Sequence, residues 1–274
     1  MKISAFYENI KEGVMNDGMD MKVALTQLKQ DGMEKVYFSY DTLKNDTGDK
    51  IIKMVQELEL GVEGIYRFVR FDRFPMDESY QDLIDTAVKI NADNVLLVPG
   101  FITEDDKGKE KQILENMWIG LKNAVQYGKQ QGIAVSIENF DGLDAPYCRI
   151  DGVAEFLANV PGLQFSFDTG NFVMYHEDEV EAFELFKDKV CTVHLKDRGH
   201  GKEQPVVICA DGEKVCTVPV GDGFIHIKEI LLKLKQLGYD GGLIAEMYGH
   251  AAENMYDGIR KSVKWIRETW RGGW

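Results

Sequence analysis

The chain has 274 residues, 44% of them hydrophobic and 28% charged, with a net charge of -14. That length suits one α/β barrel, and the acidic balance argues against nucleic acid or an anionic membrane as partner, because phosphate contacts need clustered Lys and Arg. No run approaches the ~18 apolar residues of a membrane span, and the start lacks the apolar core and cleavage site of a signal peptide, so the expected location is the cytoplasm.

In chain order, Lys2 to Glu8 reads as a strand, followed by an amphipathic helix with Met21, Val23, Ala24, Leu25 and Leu28 at helical spacing and Gly32 as its stop. Lys35 to Tyr40 is the second strand, Ile51 to Leu58 a helix, and Val62 to Val69 the third strand. Helix Gln81 to Ile90 leads to strand Asn94 to Val98, which ends in Pro99-Gly100. A long helix from Gln112 to Gln131 is capped by Gly132 and followed by the strand ending at Glu138. Helix Ile150 to Leu157, strand Leu163 to Asp168, helix Glu179 to Phe186 and the strand ending at His194 come next. The last elements are helix Ile225 to Leu237, the strand ending at Glu246, and a helix from Asn254 to Trp270.

Eight short strands alternating with helices require right-handed crossovers and a parallel sheet. With no GxGxxG fingerprint, they close most naturally into a single (β/α)8 TIM barrel spanning residues 1–274. One connection is long: residues 195–224 hold two apolar runs around Asp211-Gly212, a hairpin signal. A hairpin there is expected over the active face, where it would serve as a lid. The four cysteines (Cys148, Cys191, Cys209 and Cys216) have no CxxC spacing, which argues against a zinc knot.

The chemistry is expected at the carboxyl ends of the strands. Four strand-end residues stand there: Glu138, Asp168, His194 and Glu246. A buried carboxylate costs several kcal/mol unless a charge or metal offsets it, so three of them with one imidazole form a candidate site for one divalent ion. The oxygen-rich donor set suits Mn, Mg or Co, with Zn as a further candidate. Side chains alternate along a strand. If Glu138, Asp168 and His194 point inward, so do Ser136, Ser166 and Thr192, while Phe165, Phe167 and Val193 face the helices. A metal with open positions would polarise a sugar carbonyl and stabilise an enediolate, with Glu138 and Glu246 as the acid/base pair. Lys196 shares the inward parity of His194, and Arg67 near the end of the third strand is a second candidate contact for an anionic group.

The segments Ser136-Ile137-Glu138-Asn139, Phe167-Asp168-Thr169-Gly170-Asn171, Val193-His194-Leu195-Lys196-Asp197 and Ala245-Glu246 resemble the sugar isomerase/epimerase superfamily, the xylose isomerase-like TIM barrels. The approach Pro219-Val220-Gly221-Asp222-Gly223 and the stretch Gly238-Tyr239-Asp240-Gly241 carry the same resemblance. It implies one metal bound by Glu138, Asp168, His194 and Glu246, with the two Glu as acid/base pair. Ketose 3-epimerases of this superfamily usually carry a His three residues after the metal-binding Asp and an Arg six residues after the metal-binding His. Asn171 and His200 stand at those positions here, with Arg198 nearby, and all three are candidate substrate contacts. The chain has no His before His176, which argues against true xylose isomerases and against the three-zinc apurinic-endonuclease branch.

The sequence therefore leads to a metal-dependent isomerase or epimerase of a sugar or polyol-derived keto compound. The rivals are a lyase similar to 3-dehydroshikimate dehydratases on the same metal site, and a non-catalytic metal-binding barrel. The expected partner is a small carbohydrate, and association into a homo-oligomer is left open.

Overall fold

Runs of β-branched and aromatic residues build the strands: β1 Lys2–Phe6, β2 Lys35–Ser39, β3 Gly61–Phe68, β4 Asn94–Val98, β5 Ala134–Glu138, β6 Gln164–Asp168, β7 Val190–Leu195, β8 Asp197–Gly199, β9 Val206–Ile208, β10 Lys214–Val218 and β11 Gly242–Ala245. Eight of these pair in parallel into a closed barrel of order β1-β11-β7-β6-β5-β4-β3-β2. This is a single (β/α)8 TIM barrel. It is a computed structural model that describes residues 2–44, 46–200, 205–251 and 254–272.

The helices around it are α1 Tyr7–Asp17, α2 Met21–Asp31, α3 Tyr40–Leu43, α4 Asp46–Glu57, α5 Ser79–Lys89, α6 Glu110–Gln131, α7 Ile150–Asn159, α8 Glu179–Phe186, α9 Ile227–Gln236 and α10 Met255–Arg271. The first strand is shorter than the sequence suggests, since the chain turns into α1 at Tyr7. Tyr7, Ile10 and Val14 are buried at helical spacing along it. Gly18, at φ 63, ends α1 in the left-handed conformation, and Asp20 starts α2 by accepting hydrogen bonds from the amides of Lys22 and Val23.

Side-chain parity divides the barrel as the strand patterns predict. Phe165 and Phe167 are fully buried and meet Phe186 and Phe183 of α8 at ring-centroid distances of 5.4 and 5.6 Å. Burying each such ring contributes roughly 1.5–3 kcal/mol. Inside the barrel, Phe6, Tyr37, Leu96 and Ile244 form a small apolar plug. Phe6 and Tyr37 pack edge-on against His194, at 5.2 and 5.6 Å.

The long connection forms a three-stranded sheet, β8-β10-β9, outside the barrel. Its antiparallel pair β9 and β10 turns at Asp211-Gly212, with Gly212 at φ 91. Cys209 and Val215 pack on Met174, so the hairpin leans on the segment after β6. Residues 201–204 of the connection lie outside the described residues. All four cysteines are free thiols.

Candidate metal centre and cavity

Glu138 and Asp168 are the last residues of β5 and β6, His194 is next to last in β7, and Glu246 directly follows β11. Strand register places Asp168 beside His194, and His194 beside Ile244. The parity that points Ile244 inward therefore points Glu246 inward as well. All four side chains are buried, Asp168 and His194 completely. One ligand atom from each lies within 4.8 Å of all the others.

His194 Nδ1 stands 3.2 Å from Glu138 Oε1 and 3.2 Å from Glu246 Oε2. Ligand bonds of about 2.1 Å place neighbouring donors about 3.0 Å apart in an octahedron and about 3.4 Å apart in a tetrahedron. The observed spacing, which joins His194 Nδ1 and Glu138 Oε1 in a hydrogen bond, also fits a coordination edge. Asp168 Oδ2 and Glu246 Oε2 are buried without a hydrogen-bond partner. Buried polar atoms are seldom left so, and two such oxygens converging with an imidazole nitrogen form a donor set that can hold a divalent cation.

The electrostatics agree. Burial pushes the Glu138 and Asp168 carboxyls upward, toward their neutral forms. Burial pushes the His194 imidazole down, yet Glu138 and Glu246 outweigh it and raise it to about 10. For Glu246, burial raises the carboxyl, but Lys196 and His194 hold it down to about 2. Two carboxyls pushed toward neutrality by burial, beside an imidazole that their charge raises, are groups that a further positive charge would ionise.

Neighbouring groups fix the four side chains. The Asn139 carboxamide donates to the Asp168 carbonyl and accepts from the Asp168 amide, both at 2.9 Å, so it clamps the backbone of Asp168. Asp168 Oδ1 accepts from the Gly170 amide at 2.7 Å, which leaves Oδ2 facing the cluster. Beneath, the Ser136 and Ser166 hydroxyls lie 2.7 Å apart. The small inward hydroxyls expected from parity are in place.

A cavity of about 270 Å³ opens over this cluster, near the lower end of small-molecule sites. Glu138, Glu246, Lys196, Asn171 and Asp141 form its polar floor, and Phe6, Tyr66, Phe68, Leu96, Val98, Phe140 and Tyr248 its wall. The Tyr66 and Tyr248 hydroxyls are 2.7 Å apart. Lys196 Nζ lies 2.6 Å from Glu246 Oε1 and 3.1 Å from Asp141 Oδ2.

Of the sequence-predicted contacts, Asn171 and Lys196 line this cavity. Arg198 lies just behind it: its guanidinium, 1% exposed, donates to Asn171 Oδ1 and Asp141 Oδ2. Two predicted contacts are not brought here. Arg67 has the outward parity of β3; its guanidinium sits 4.7 Å over the Tyr40 ring and donates to the Ser79 carbonyl. His200 is exposed and stacks on Phe224 at 4.6 Å. No described residue of 205–218 lines the cavity; β10 reaches its wall through Thr217 Oγ1, which donates to the Tyr248 carbonyl at 2.7 Å.

Asp141, Asn139 and the aromatic wall are functional candidates that the sequence reading missed. Their signal was position: Asn139, Phe140 and Asp141 open the loop after β5, on the face where such barrels place their sites. A second acidic group, His176 with Asp211 and Glu213, is exposed. Its two ring nitrogens face different carboxylates, Asp211 at 3.0 Å and Glu213 at 3.8 Å.

No helix among the described residues is long and apolar enough to cross a membrane. The chain is 26% identical over 149 residues to the L-ribulose-5-phosphate 3-epimerase UlaE of Escherichia coli, a match covering 54% of this chain and 48% of the epimerase. The chain spans about half the length of the curated relatives it matches. Among solved structures, the probable 3-DHS dehydratase AsbF of Bacillus anthracis superposes with a TM-score of 0.73 at 16% identity, covering 97% of this chain and 99% of that one. The IolI protein, solved with a bound zinc atom, superposes with a TM-score of 0.73 at 15% identity over 100% of both chains. These likenesses establish the barrel. Residues 75–269, well over half the chain, match the family described as xylose isomerase-like TIM barrel, and to that family the protein belongs.

Proposed function

We propose that the protein is a divalent-metal-dependent isomerase or epimerase of a sugar or polyol-derived keto compound, working by proton transfer next to a carbonyl. The observation that carries this reading is that Glu138 and Glu246 both line the cavity while converging with Asp168 and His194. A divalent ion (Mn, Mg, Co or Zn) bound by these four residues would supply Lewis acidity toward a substrate carbonyl. The relatives named L-ribulose-5-phosphate 3-epimerase support carbon-centred proton transfer as the reaction class.

The chain's own groups do the rest. One of the two glutamates takes the carbon-bound proton, and the electron pair it leaves moves into the adjacent carbonyl to give an enediolate. The other returns a proton, to the same carbon in an epimerase or to its neighbour in an isomerase. Lys196 holds Glu246 in place through its 2.6 Å contact. Asn171 Nδ2, 3.5 Å from Glu138 Oε1, does the same for the other carboxylate.

The lyase alternative needs a cation for a substrate carboxylate. Arg67 points away from the cavity and Lys196 is already held between Glu246 and Asp141, so the geometry favours the isomerase. The test is elemental analysis of the purified protein and of Asp168→Asn, then exchange of solvent deuterium into a panel of keto sugars. One divalent ion per chain, lost in the mutant, with exchange only in the loaded protein, is the expected result. A metal-free wild type that gains no exchange on adding Mn²⁺, Co²⁺ or Zn²⁺ would end the proposal.

A further inference from the structure

The cavity has two chemically unlike sides, and together they restrict what can enter. On the polar side the two described cations, Lys196 and Arg198, are both paired. Lys196 is shared between Glu246 and Asp141. Arg198 spends its guanidinium on the Gly170 carbonyl, Thr217 Oγ1, Asp141 and Asn171. Four carboxylates (Glu138, Asp141, Asp168 and Glu246) face these two cations, so even a divalent ion only brings the fixed charges to balance. Among the described cavity residues no unpaired cation is left for a phosphate or carboxylate, and a dianion would add its charge to a site already in balance.

The opposite side is aromatic up to the solvent. Phe68, Phe101 and Phe140 form a contiguous trio, with ring centroids 6.4, 5.7 and 5.5 Å apart. Phe68 lines the cavity yet is 53% exposed. Phe101 and Phe140 are partly buried behind it, so Phe68 is the exposed end of a connected aromatic cluster at the cavity mouth, unlike a lone exposed side chain. It offers a ligand ring a partner beyond the polar floor, with edge or offset stacking at its rings.

We propose that the cavity takes an uncharged, unphosphorylated keto sugar carrying an apolar substituent, of the aryl-glycoside class, with the sugar at the polar floor and the substituent against Phe68, Phe101 and Phe140. For its ring chemistry this rests on the isomerase or epimerase reading above. A glycosidic bond closes the anomeric carbon, so the carbonyl that acidifies the exchanging hydrogen sits on another ring carbon. The inference departs from the phosphorylated substrate named for the curated relatives.

The test uses the full metal-loaded chain and three probes: 4-nitrophenyl 3-keto-β-D-glucoside, its methyl counterpart, and the 6-phosphate of the methyl compound. Binding is read by calorimetry, and solvent-deuterium exchange by NMR. The nitrophenyl probe is expected to bind about tenfold more tightly than the methyl one. In Phe68→Ser that ratio falls toward one, and the phosphate binds at least about tenfold more weakly than the methyl compound. Exchange without any aryl preference, or a phosphate that binds as well as or better than the methyl probe, would overturn this inference and leave the isomerase reading standing. An aryl preference in binding with no exchange in any probe would overturn the isomerase reading and leave this one. Failure of all three probes to bind would overturn this inference and leave the isomerase reading to its keto-sugar panel.

Discussion

Lys196 Nζ stands 2.6 Å from Glu246 Oε1, and both side chains are almost fully buried beneath the cavity. A carboxylate held ionised at this place is a base that needs no solvent to stay charged. Glu246→Gln keeps the size and one oxygen but removes the basicity. The expected result is a loss of at least about 10²–10⁴ in deuterium exchange, with an unchanged circular dichroism spectrum. Near-normal exchange would remove Glu246 from the chemistry.

The same contact makes Lys196 a structural counter-charge. Lys196→Met leaves Glu246 and Asp141 without their shared cation, although Arg198 still reaches Asp141 at 3.1 Å. Breaking a buried pair by removing one partner costs about 3–5 kcal/mol. The variant is therefore expected to melt well below wild type in metal-free buffer and to recover part of that loss on adding metal, since a bound cation also offsets the charge of Glu246. Calorimetry with and without Mn²⁺ checks this, and equal losses in both buffers would mean that Lys196 and the metal site are not coupled.

Removing the metal should destabilise the native barrel. An ion at about 100 times its Kd contributes about 2.7 kcal/mol, which is a Tm change of roughly 5–10 °C for a chain of this size. Chelation is expected to lower the wild-type Tm by that order and to leave Asp168→Asn unmoved. A wild type indifferent to chelation in scanning calorimetry would speak against the four-ligand site.

The barrel and the convergence of Glu138, Asp168, His194 and Glu246 were legible because one rule generates both. Period-2 alternation fixes which residues face inward, and an acidic residue or His at a strand's carboxyl end then has only one place to go. Asp168 and His194 are the clearest cases, being direct register partners. Arg67 shows the same rule from its other side: it lies between the cavity residues Tyr66 and Phe68 and therefore points away from them. The aromatic wall was not legible, because Phe68 and Phe140 come from different strand ends and meet only once the barrel closes. An aromatic at a strand end has the same local signature whether it joins the core or a cavity. Helix α1 was missed because Tyr7 extends the apolar end of β1 without a break, and only the spacing of Tyr7, Ile10 and Val14 betrays the turn.

At the opposite, amino-terminal end of the barrel, Glu63 is 1% exposed beside Gly242, where a Cβ would collide with the Glu63 carboxyl. Its Oε2 has no hydrogen-bond partner, and Lys35 Nζ is 3.7 Å away. Burial raises this carboxyl from 4.5 to about 7, against the pull of Lys35. The sign follows from the raised value. Below about pH 4.5 the group is protonated in both folded and unfolded chains and costs nothing. As the pH climbs toward 7 the unfolded chain ionises first, so stability falls across that window and levels off above it, by roughly 3 kcal/mol in all. Glu63→Gln keeps the neutral shape at every pH, and Lys35 keeps its 2.5 Å contact with Asp93. The variant is therefore expected to match wild type near pH 4 and to melt several degrees higher at pH 8, as measured by thermal unfolding across that range. Parallel Tm curves for the two proteins would show that Glu63 is already ionised and accommodated in the fold.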